Sequence, residues 1–413
     1  MRTKRVETQS RREFTVDRVY IRCYNLSMNE LYLRYKSIAL FDKTAAAIAP
    51  LAELCVCTDP VRKIELSARV LREVSERGCD TTGEWIRSLI YIDDNVFSRT
   101  AARAERIPER LKAQVKTELL TFKQLSLIKP DDYVTDSTAQ FFPRFGFGGF
   151  SVSYDRLLAF YAASGYGRLA CGNTFIYRDG EITRTETDGV RLFDLKDYEE
   201  EKAEIVRNTE NFINGLPAFH TLLYGDRGTG KSTTVRALAQ EYKDALKIIE
   251  VAHGDIGRLP SLKAELSGLK QKFILFIDDL VFEENETKAD EFKTALEGSL
   301  DSVTGNTLIY CTSNRRHLFK ETDKTDYRHR NDEIQAELAL FDRFGLVVTY
   351  VNPDKEKFVE ILKQILRSRG IKWRNEYAAI AEISALKKGG RSPRAAKQIA
   401  DIIESTYAEK RGD

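Results

Sequence analysis

The feature that most constrains this chain is a glycine-rich loop between an apolar run and a helical stretch. The loop reads Gly-x-x-x-x-Gly-Lys-Ser from Gly225 to Ser232. Leu222–Tyr224 predict a buried strand before it, and residues 231–242 predict a helix after it. The glycines let backbone N–H groups turn inward, and the positive end of the helix faces the same point. In this setting the pattern predicts a phosphate-binding site more strongly than a chance glycine turn.

The loop predicts how a nucleoside triphosphate and Mg²⁺ are held. The Lys231 ammonium would reach the β- and γ-phosphates, and the Ser232 hydroxyl would bind Mg²⁺. We therefore expect ATP and Mg²⁺ as cofactors. The predicted nucleotide-binding residues are Gly225, Asp226, Arg227, Gly228, Thr229, Gly230, Lys231, Ser232 and Thr233.

The composition is typical of a globular protein with two or three domains. The 413 residues carry a formal net charge of +2, which argues neither for nor against nucleic acid. The sequence has no apolar stretch near the ~20 residues that span a bilayer, and its first residues are too polar for a secretory signal. The six cysteines are scattered, and the close pair Cys55 and Cys57 has no histidine nearby. We expect reduced thiols, no zinc site, no membrane association and a cytoplasmic location.

The pattern of apolar residues divides the chain into four predicted parts. Residues 1–141 predict a mainly helical domain, and residues 142–215 predict an aromatic, glycine-rich hinge and a connecting helical segment with a short irregular or hairpin stretch. In residues 216–352, strands alternate with helices, which predicts an α/β fold with a parallel five-stranded sheet flanked by helices. Residues 353–413 predict a small helical lid.

Two acidic residues end the third predicted strand of this α/β region. Asp278 and Asp279 follow the run Phe273–Ile277. Carboxylates at the carboxyl edge of such a sheet lie where ligands bind in open α/β folds. We expect Asp278 to hold Mg²⁺, usually through water, and Asp279 to orient or deprotonate the attacking water. Glu283 is the second candidate for the general base.

Three further polar residues complete the predicted site. Asn314 follows the next strand, where a neutral amide can hydrogen-bond the γ-phosphate or the water. Arg343 precedes the last strand and can project away from its own nucleotide; the alternative is a surface ion pair with Asp342. Arg394 opens the final helix, capped by Ser392, and would face the nucleotide cleft.

This ordered set of motifs resembles the AAA+ ATPases over about residues 200–407. Gly225–Ser232 matches Walker A and Phe273–Asp279 matches Walker B. The resemblance implies that Asn314 is sensor 1, Arg343 the arginine finger and Arg394 sensor 2. The residues within these motifs are similar to those of the replication-initiator and helicase-loader branch. The whole chain most resembles an uncharacterised bacterial family of predicted AAA+ ATPases.

The resemblance implies an ATPase that forms a homo-oligomer, either a ring or a helix. Asp279 stands where vigorous AAA+ motors commonly have glutamate, which favours slow hydrolysis in a switch or loader. The initiator-like motif sequences and the basic residues of the lid favour a nucleic-acid-associated partner. The alternative is a protein-remodelling ATPase with the N-terminal domain as adaptor. The loop at residues 253–260 lacks the aromatic–glycine pair of protein-threading pores, which weakens that alternative.

Overall fold

The computed structural model describes residues 26–134, 142–146, 148–186, 189–282, 287–297, 305–314, 340–387 and 390–409. The chain forms two compact units, Met1–Cys171 and Gly172–Asp413. The finer division predicted at residues 141, 215 and 352 stays a prediction.

The described part of the first unit is helical, as predicted. A reciprocal capping box between Ser27 and Glu30 starts the first helix, because each side chain bonds the other residue's backbone N–H. A large apolar core includes Trp85, Phe97 and Phe122. Phe145 from the glycine-rich aromatic stretch is buried in this core, so that stretch is anchored. The helices are α1 (Met28–Lys36), α2 (Asp42–Ala47), α3 (Ala49–Glu53), α4 (Pro60–Glu76), α5 (Thr82–Tyr91), α6 (Val96–Ala102), α7 (Glu109–Leu125) and α8 (Tyr154–Ser164).

A seven-stranded sheet forms the centre of the second unit. Its order is β2-β1-β4-β5-β6-β3-β7, and every neighbouring pair is parallel except the β1–β2 hairpin. All five predicted strands are present. The strands are β1 (Thr174–Arg178), β2 (Glu181–Arg184), β3 (Thr221–Gly225), β4 (Leu246–Val251), β5 (Lys272–Ile277), β6 (Thr307–Ser313) and β7 (Leu346–Tyr350).

The two additional strands come from the stretch predicted as irregular or a hairpin. Asp179 and Gly180 form its tight turn, and both have positive φ, as two-residue hairpin turns require. Strand β1 then pairs in parallel with β4, with Thr174 opposite Ile248. This pairing joins residues more than 70 positions apart, and local sequence periodicity carries no information about such a partner.

Helices cover the sheet, and a buried amide fixes one of them to the strand before the loop. The Asn208 amide donates to the Phe219 carbonyl at 2.9 Å and the Tyr310 hydroxyl at 3.0 Å, and it accepts from the Phe219 N–H at 2.9 Å. The packed polar atoms are thereby satisfied and the start of β3 is held in place. The helices of this part are α9 (Glu199–Ile213), α10 (Lys231–Glu241), α11 (Leu259–Leu266) and α12 (Thr287–Glu297).

Three helices after β7 form the predicted lid, with a small apolar core of their own that includes Phe358, Leu362 and Ile399. They are α13 (Lys355–Ser368), α14 (Glu376–Lys387) and α15 (Pro393–Glu409). Within the described ranges, no helix combines the length and the apolar character needed to cross a membrane.

Candidate nucleotide-binding site

The strand order brings the predicted motifs together at one edge of the sheet. Strands β5, β6 and β3 are consecutive neighbours and all run parallel. Their carboxyl ends therefore meet, and these ends carry the acidic pair, Asn314 and the glycine-rich loop. In open α/β sheets this edge is where ligands bind.

The loop begins against the backbone of the neighbouring strand β7. Gly225 has φ +128°, and a Cβ at this position would collide with the Tyr350 carbonyl group. The Asp226 N–H donates to that same Tyr350 oxygen at 2.9 Å, and the Asp226 carboxylate accepts from the Asn352 N–H at 2.8 Å. Only glycine permits this close approach, which sets the direction in which the loop leaves the strand.

Lys231 is buried at the centre of the site. Its residue is 4% exposed. Its ammonium donates to the Gly225 carbonyl at 2.9 Å, the Asp226 carbonyl at 2.7 Å and the Asn314 amide oxygen at 2.9 Å. Burial lowers the pKa of Lys231 to about 8, against the opposing effect of the nearby acidic side chains. A poorly solvated ammonium gains more than an exposed one when an anion arrives.

Ser232 and Asp278 form a pair of oxygen ligands suited to Mg²⁺. The Ser232 hydroxyl donates to Asp278 Oδ1 at 2.5 Å, and the Thr312 hydroxyl donates to the same oxygen at 2.6 Å. Magnesium prefers oxygen ligands and is usually held by one or two protein groups together with substrate phosphates. The described residues contain no cluster of three or more His, Cys, Asp or Glu side chains able to hold a metal alone. The two oxygen donors of Ser232 and Asp278 fit a metal that takes its other ligands from a nucleotide.

Asp279 and Asn314 are linked beside this pair. The Asn314 amide group donates to Asp279 Oδ1 at 2.7 Å while its oxygen accepts from Lys231. The Asp279 backbone has φ +54°, and its N–H donates to the Thr312 hydroxyl at 2.8 Å. A left-handed backbone at a residue other than glycine costs free energy, and such strain concentrates at functional sites. Asn314 thus connects the predicted phosphate-binding cation with the predicted base.

The lid touches the glycine-rich loop through the start of α15. The Arg394 N–H donates to the Gly228 carbonyl at 3.1 Å, and Ser392 caps the helix by accepting from the Ala395 N–H at 3.2 Å. A Cβ at Gly228, which has φ +77°, would come within 2.9 Å of the Ser392 hydroxyl oxygen. The Arg394 side chain is exposed, and its positive charge contributes to the lowered pKa of Lys231. The structure therefore brings Arg394 next to the loop.

Arg343 lies at the opposite edge of the sheet from Lys231. It belongs to the turn before β7, where its N–H donates to the Leu340 carbonyl at 3.2 Å. Because β7 and β3 are parallel, with Leu346 opposite Thr221, this turn lies at the amino edge. The five residues of β7 separate the two edges by at least about 13 Å. The structure does not bring Arg343 to the nucleotide site of its own chain.

The remaining predicted residues line the loop. Gly230 caps α10 with φ +100°, and the buried Thr229 donates through its hydroxyl to the Asp226 carbonyl at 2.9 Å. Arg227 is exposed and Thr233 is half-buried on the first turn of α10. The reserve base, Glu283, lies outside the described residues.

Sequence reasoning missed three residues that contact Asp278. They are Thr312, Arg236, whose guanidinium donates to Asp278 Oδ2 at 3.0 Å, and His253, whose Nε2 lies 2.8 Å from the Asp278 carbonyl oxygen. Two of them carry a spacing signal. Arg236 follows Ser232 by one helical turn, so both lie on one face of α10. Thr312 precedes Asn314 by two positions, the spacing of residues on one face of a strand. Its hydroxyl contacts Asp278, whereas Asn314 contacts Asp279.

Comparison with known sequences gives two curated relatives. The chain is 34% identical over 94 residues to the replication factor C large subunit of Sulfolobus acidocaldarius, covering 20% of this chain and 21% of that protein. It is 27% identical over 220 residues to the Holliday junction branch migration complex subunit RuvB of Ehrlichia canis, covering 51% of this chain and 63% of that protein. The chain therefore spans less than two thirds of either relative.

Solved structures give matches of similar extent. The Thermotoga maritima RuvB Holliday junction branch migration motor aligns at 18% identity with a TM-score of 0.38, covering 54% of this chain and 66% of that chain. AMPPCP-bound DnaA from Aquifex aeolicus aligns at 18% identity with a TM-score of 0.37, covering 53% and 66% respectively.

A match to a protein-family model shows which family the chain belongs to. The model described as "Protein of unknown function (DUF815)" matches residues 175–407, which is more than half of the chain and contains the whole candidate site. The predicted resemblance to an uncharacterised family is thereby confirmed. The chain belongs to the DUF815 family.

Proposed function

We propose that this protein is a Mg²⁺-dependent ATPase that acts as a slow, oligomeric switch or loader on a nucleic-acid-associated partner in the cytoplasm. The observation that carries the proposal is one hydrogen-bonded network at the carboxyl edge of the sheet. It joins Lys231 through Asn314 to Asp279, and Ser232 to Asp278. These groups come from three separate strand ends, and together they provide a cation, a metal-ligand pair and a base.

Each residue of this network has a role that its position supports. The Lys231 ammonium would exchange its carbonyl partners for phosphate oxygens, which accept from it more strongly because they are charged. Ser232 and Asp278 would hold Mg²⁺, which neutralises charge on the phosphates when it is bound. The Asp279 carboxylate would accept a proton from water. Asn314 would keep the Asp279 carboxylate oriented.

Slow turnover is supported by the chemistry and contacts of Asp279. Its side chain is one methylene shorter than the glutamate commonly found in AAA+ motors. One of its oxygens is already engaged by the Asn314 amide group at 2.7 Å. A short carboxylate that shares its lone pairs with an amide positions water less well than a free, longer one.

Assembly into a homo-oligomer is supported by the position of Arg343. At the amino edge of the sheet it is remote from its own Lys231, so any contact with a nucleotide requires a neighbouring subunit. A guanidinium is always charged and can bind a phosphate with two N–H groups. Such an arginine contributes roughly 10³–10⁵ in rate in measured phosphoryl-transfer systems.

The partner class is supported by the sequence relatives, which are named for replication and for Holliday junction branch migration. In the lid, Arg394 and Lys397 are exposed, whereas Arg391 is paired with Glu382 by two hydrogen bonds of 2.8 and 2.9 Å. The exposed cations are available to phosphate groups. The free thiols of Cys55, Cys57, Cys79, Cys171 and Cys311 are compatible with a reducing compartment.

Nucleotide binding is tested first. Lys231→Ala should abolish ATP binding measured by calorimetry while the far-UV circular dichroism spectrum stays unchanged. Lys202→Ala is the matched control, because Lys202 is similarly buried in the same unit but binds Leu195 and Glu199 outside the site. Near-wild-type affinity in Lys231→Ala would overturn the proposal.

The partner class is tested by stimulation of ATP hydrolysis. DNA should raise the turnover rate, and the effect should weaken as salt concentration increases, since phosphate contacts release counterions. Stimulation by an unfolded polypeptide and not by DNA would replace this part of the proposal with the protein-remodelling alternative.

A further inference from the structure

The guanidinium group of Arg236 lies between two carboxylates behind the metal-ligand pair. One of its terminal nitrogens donates to Asp278 Oδ2 at 3.0 Å, and that nitrogen and Nε donate to Glu250 Oε2 at 3.1 and 3.2 Å. The group also lies 5.6 Å from the centre of the Phe276 ring. Arg236 therefore has one positive charge that two negative groups share.

The two oxygens of Asp278 have different kinds of partner. Oδ1 accepts from the neutral hydroxyls of Ser232 and Thr312, whereas Oδ2 accepts from the charged Arg236. A cation at hydrogen-bonding distance opposes the binding of a second cation to the same carboxylate. Glu250 acts in the other direction, because it attracts Arg236 and adds negative charge nearby.

We propose that Arg236 and Glu250 set the Mg²⁺ affinity of the nucleotide site with opposite signs. Arg236 weakens Mg²⁺ binding by offsetting the charge of Asp278, and Glu250 strengthens it by offsetting the charge of Arg236. Both are positioning residues that act through Asp278. The inference rests on the proposed function, since the metal binds together with a nucleotide.

The surroundings of Arg236 allow its guanidinium to shift between the two carboxylates. Arg236 and Glu250 line a cavity of about 230 Å³, together with Thr174, Thr185 and Phe276. This space is large enough for several water molecules, so the guanidinium can move within it without repacking of the core. The Arg236 and Asp278 side chains are 41% and 28% exposed, so solvent screens the interaction and its effect on affinity is moderate.

Two glutamine variants, each of which removes one charge, test the sign of each effect. The measured quantity is the Mg²⁺ concentration that gives half-maximal binding of a fluorescent ATP analogue, which does not depend on turnover. Arg236→Gln should lower this concentration about three- to tenfold, and Glu250→Gln should raise it by a similar factor. Arg236→Lys keeps the charge and should stay within about twofold of the wild type, because the proposed effect is Coulombic.

The matched control is Arg369→Gln in the lid. Arg369 is also shared by two carboxylates, Asp401 and Glu404, at 2.7 Å each. The Arg369→Gln substitution removes an equivalent ion pair from the same unit, at a position that does not contact Asp278. It should leave the half-maximal Mg²⁺ concentration unchanged.

The outcomes separate this inference from the proposed function. The inference alone would be overturned if Arg236→Gln raised the half-maximal Mg²⁺ concentration. It would also be overturned if both glutamine variants shifted that concentration in the same direction. Unchanged Mg²⁺ dependence with lower thermal stability would overturn the inference as well, because it would leave a purely structural ion pair. Wild-type protein that bound no nucleotide at any Mg²⁺ concentration would overturn both.

Discussion

Nucleotide affinity should fall as the pH rises from 7 to 9, because the buried Lys231 titrates in this range. Burial lowers the pKa of Lys231 from its ordinary value of 10.5 to about 8. At that pKa the ammonium form makes up about 91% of the protein at pH 7 and about 9% at pH 9. Only the ammonium binds phosphate through its charge, so the apparent affinity should fall about tenfold, or about 1.4 kcal/mol. A lysine with an ordinary pKa would remain about 97% charged at pH 9.

The assay is a titration with a fluorescent ATP analogue at constant ionic strength and constant Mg²⁺. Lys231→Arg is the matched variant, because a guanidinium stays charged throughout this range, and its affinity should be flat with pH even if it is weaker. In the wild type, binding at pH 8 should take up about half a proton, seen as a dependence of the calorimetric enthalpy on the buffer. A wild-type affinity that stayed constant from pH 7 to 9, or an equal fall in Lys231→Arg, would contradict this account.

Four substitutions give further checks. Asp279→Asn should bind ATP normally but hydrolyse it about a hundredfold or more slowly, since an amide accepts no proton. A wild-type rate of phosphate release would mean that another residue is the base. Arg343→Ala should bind ATP but hydrolyse it slowly, and mixing it with Lys231→Ala protein should restore part of the activity. If mixing restored none and the specific activity did not depend on protein concentration, the active form would be a monomer. Gly225→Ala should lower the free energy of unfolding by more than about 1 kcal/mol, because its Cβ meets a backbone carbonyl, and an unchanged Tm would show that the loop relaxes. Asn208→Ala should destabilise by about 1–3 kcal/mol in chemical denaturation, since it leaves buried polar groups without partners, and a neutral result would mean that water replaces the amide.

The elements that sequence reasoning predicted well are those with a local physical cause. Apolar residues dominate β3–β6, because strands buried on both faces are rich in consecutive apolar residues. Strand β7 lies at the edge of the sheet, and its burial alternates along the strand. The loop from Gly225 to Lys231 was recognised because its backbone needs glycine at fixed positions. The lid helices α13 and α15 follow the 3.6-residue period and start after the capping residues Asp354 and Ser392.

The hairpin of β1 and β2 shows where local reasoning ends. Its turn residues, Asp179 and Gly180, are visible in the sequence, but its attachment to β4 depends on a partner strand more than 70 positions away. The same holds for the contacts of Arg236 with Glu250 and Asp278, which lie 14 and 42 positions away in the chain. A basic residue on a helix could equally face solvent, and only packing of the helix on the sheet selects its partners.

The sequence by itself determined the strand–loop–helix unit, the acidic strand end and the order of the motifs, because each depends on neighbouring residues. Tertiary structure alone decided which groups touch. It joined Lys231 to Asp279 through Asn314 and placed Arg343 at the far edge of the sheet. The physical reason is that hydrogen bonds and ion pairs act over about 3 Å, and residues far apart in the chain come within that distance only when the sheet assembles.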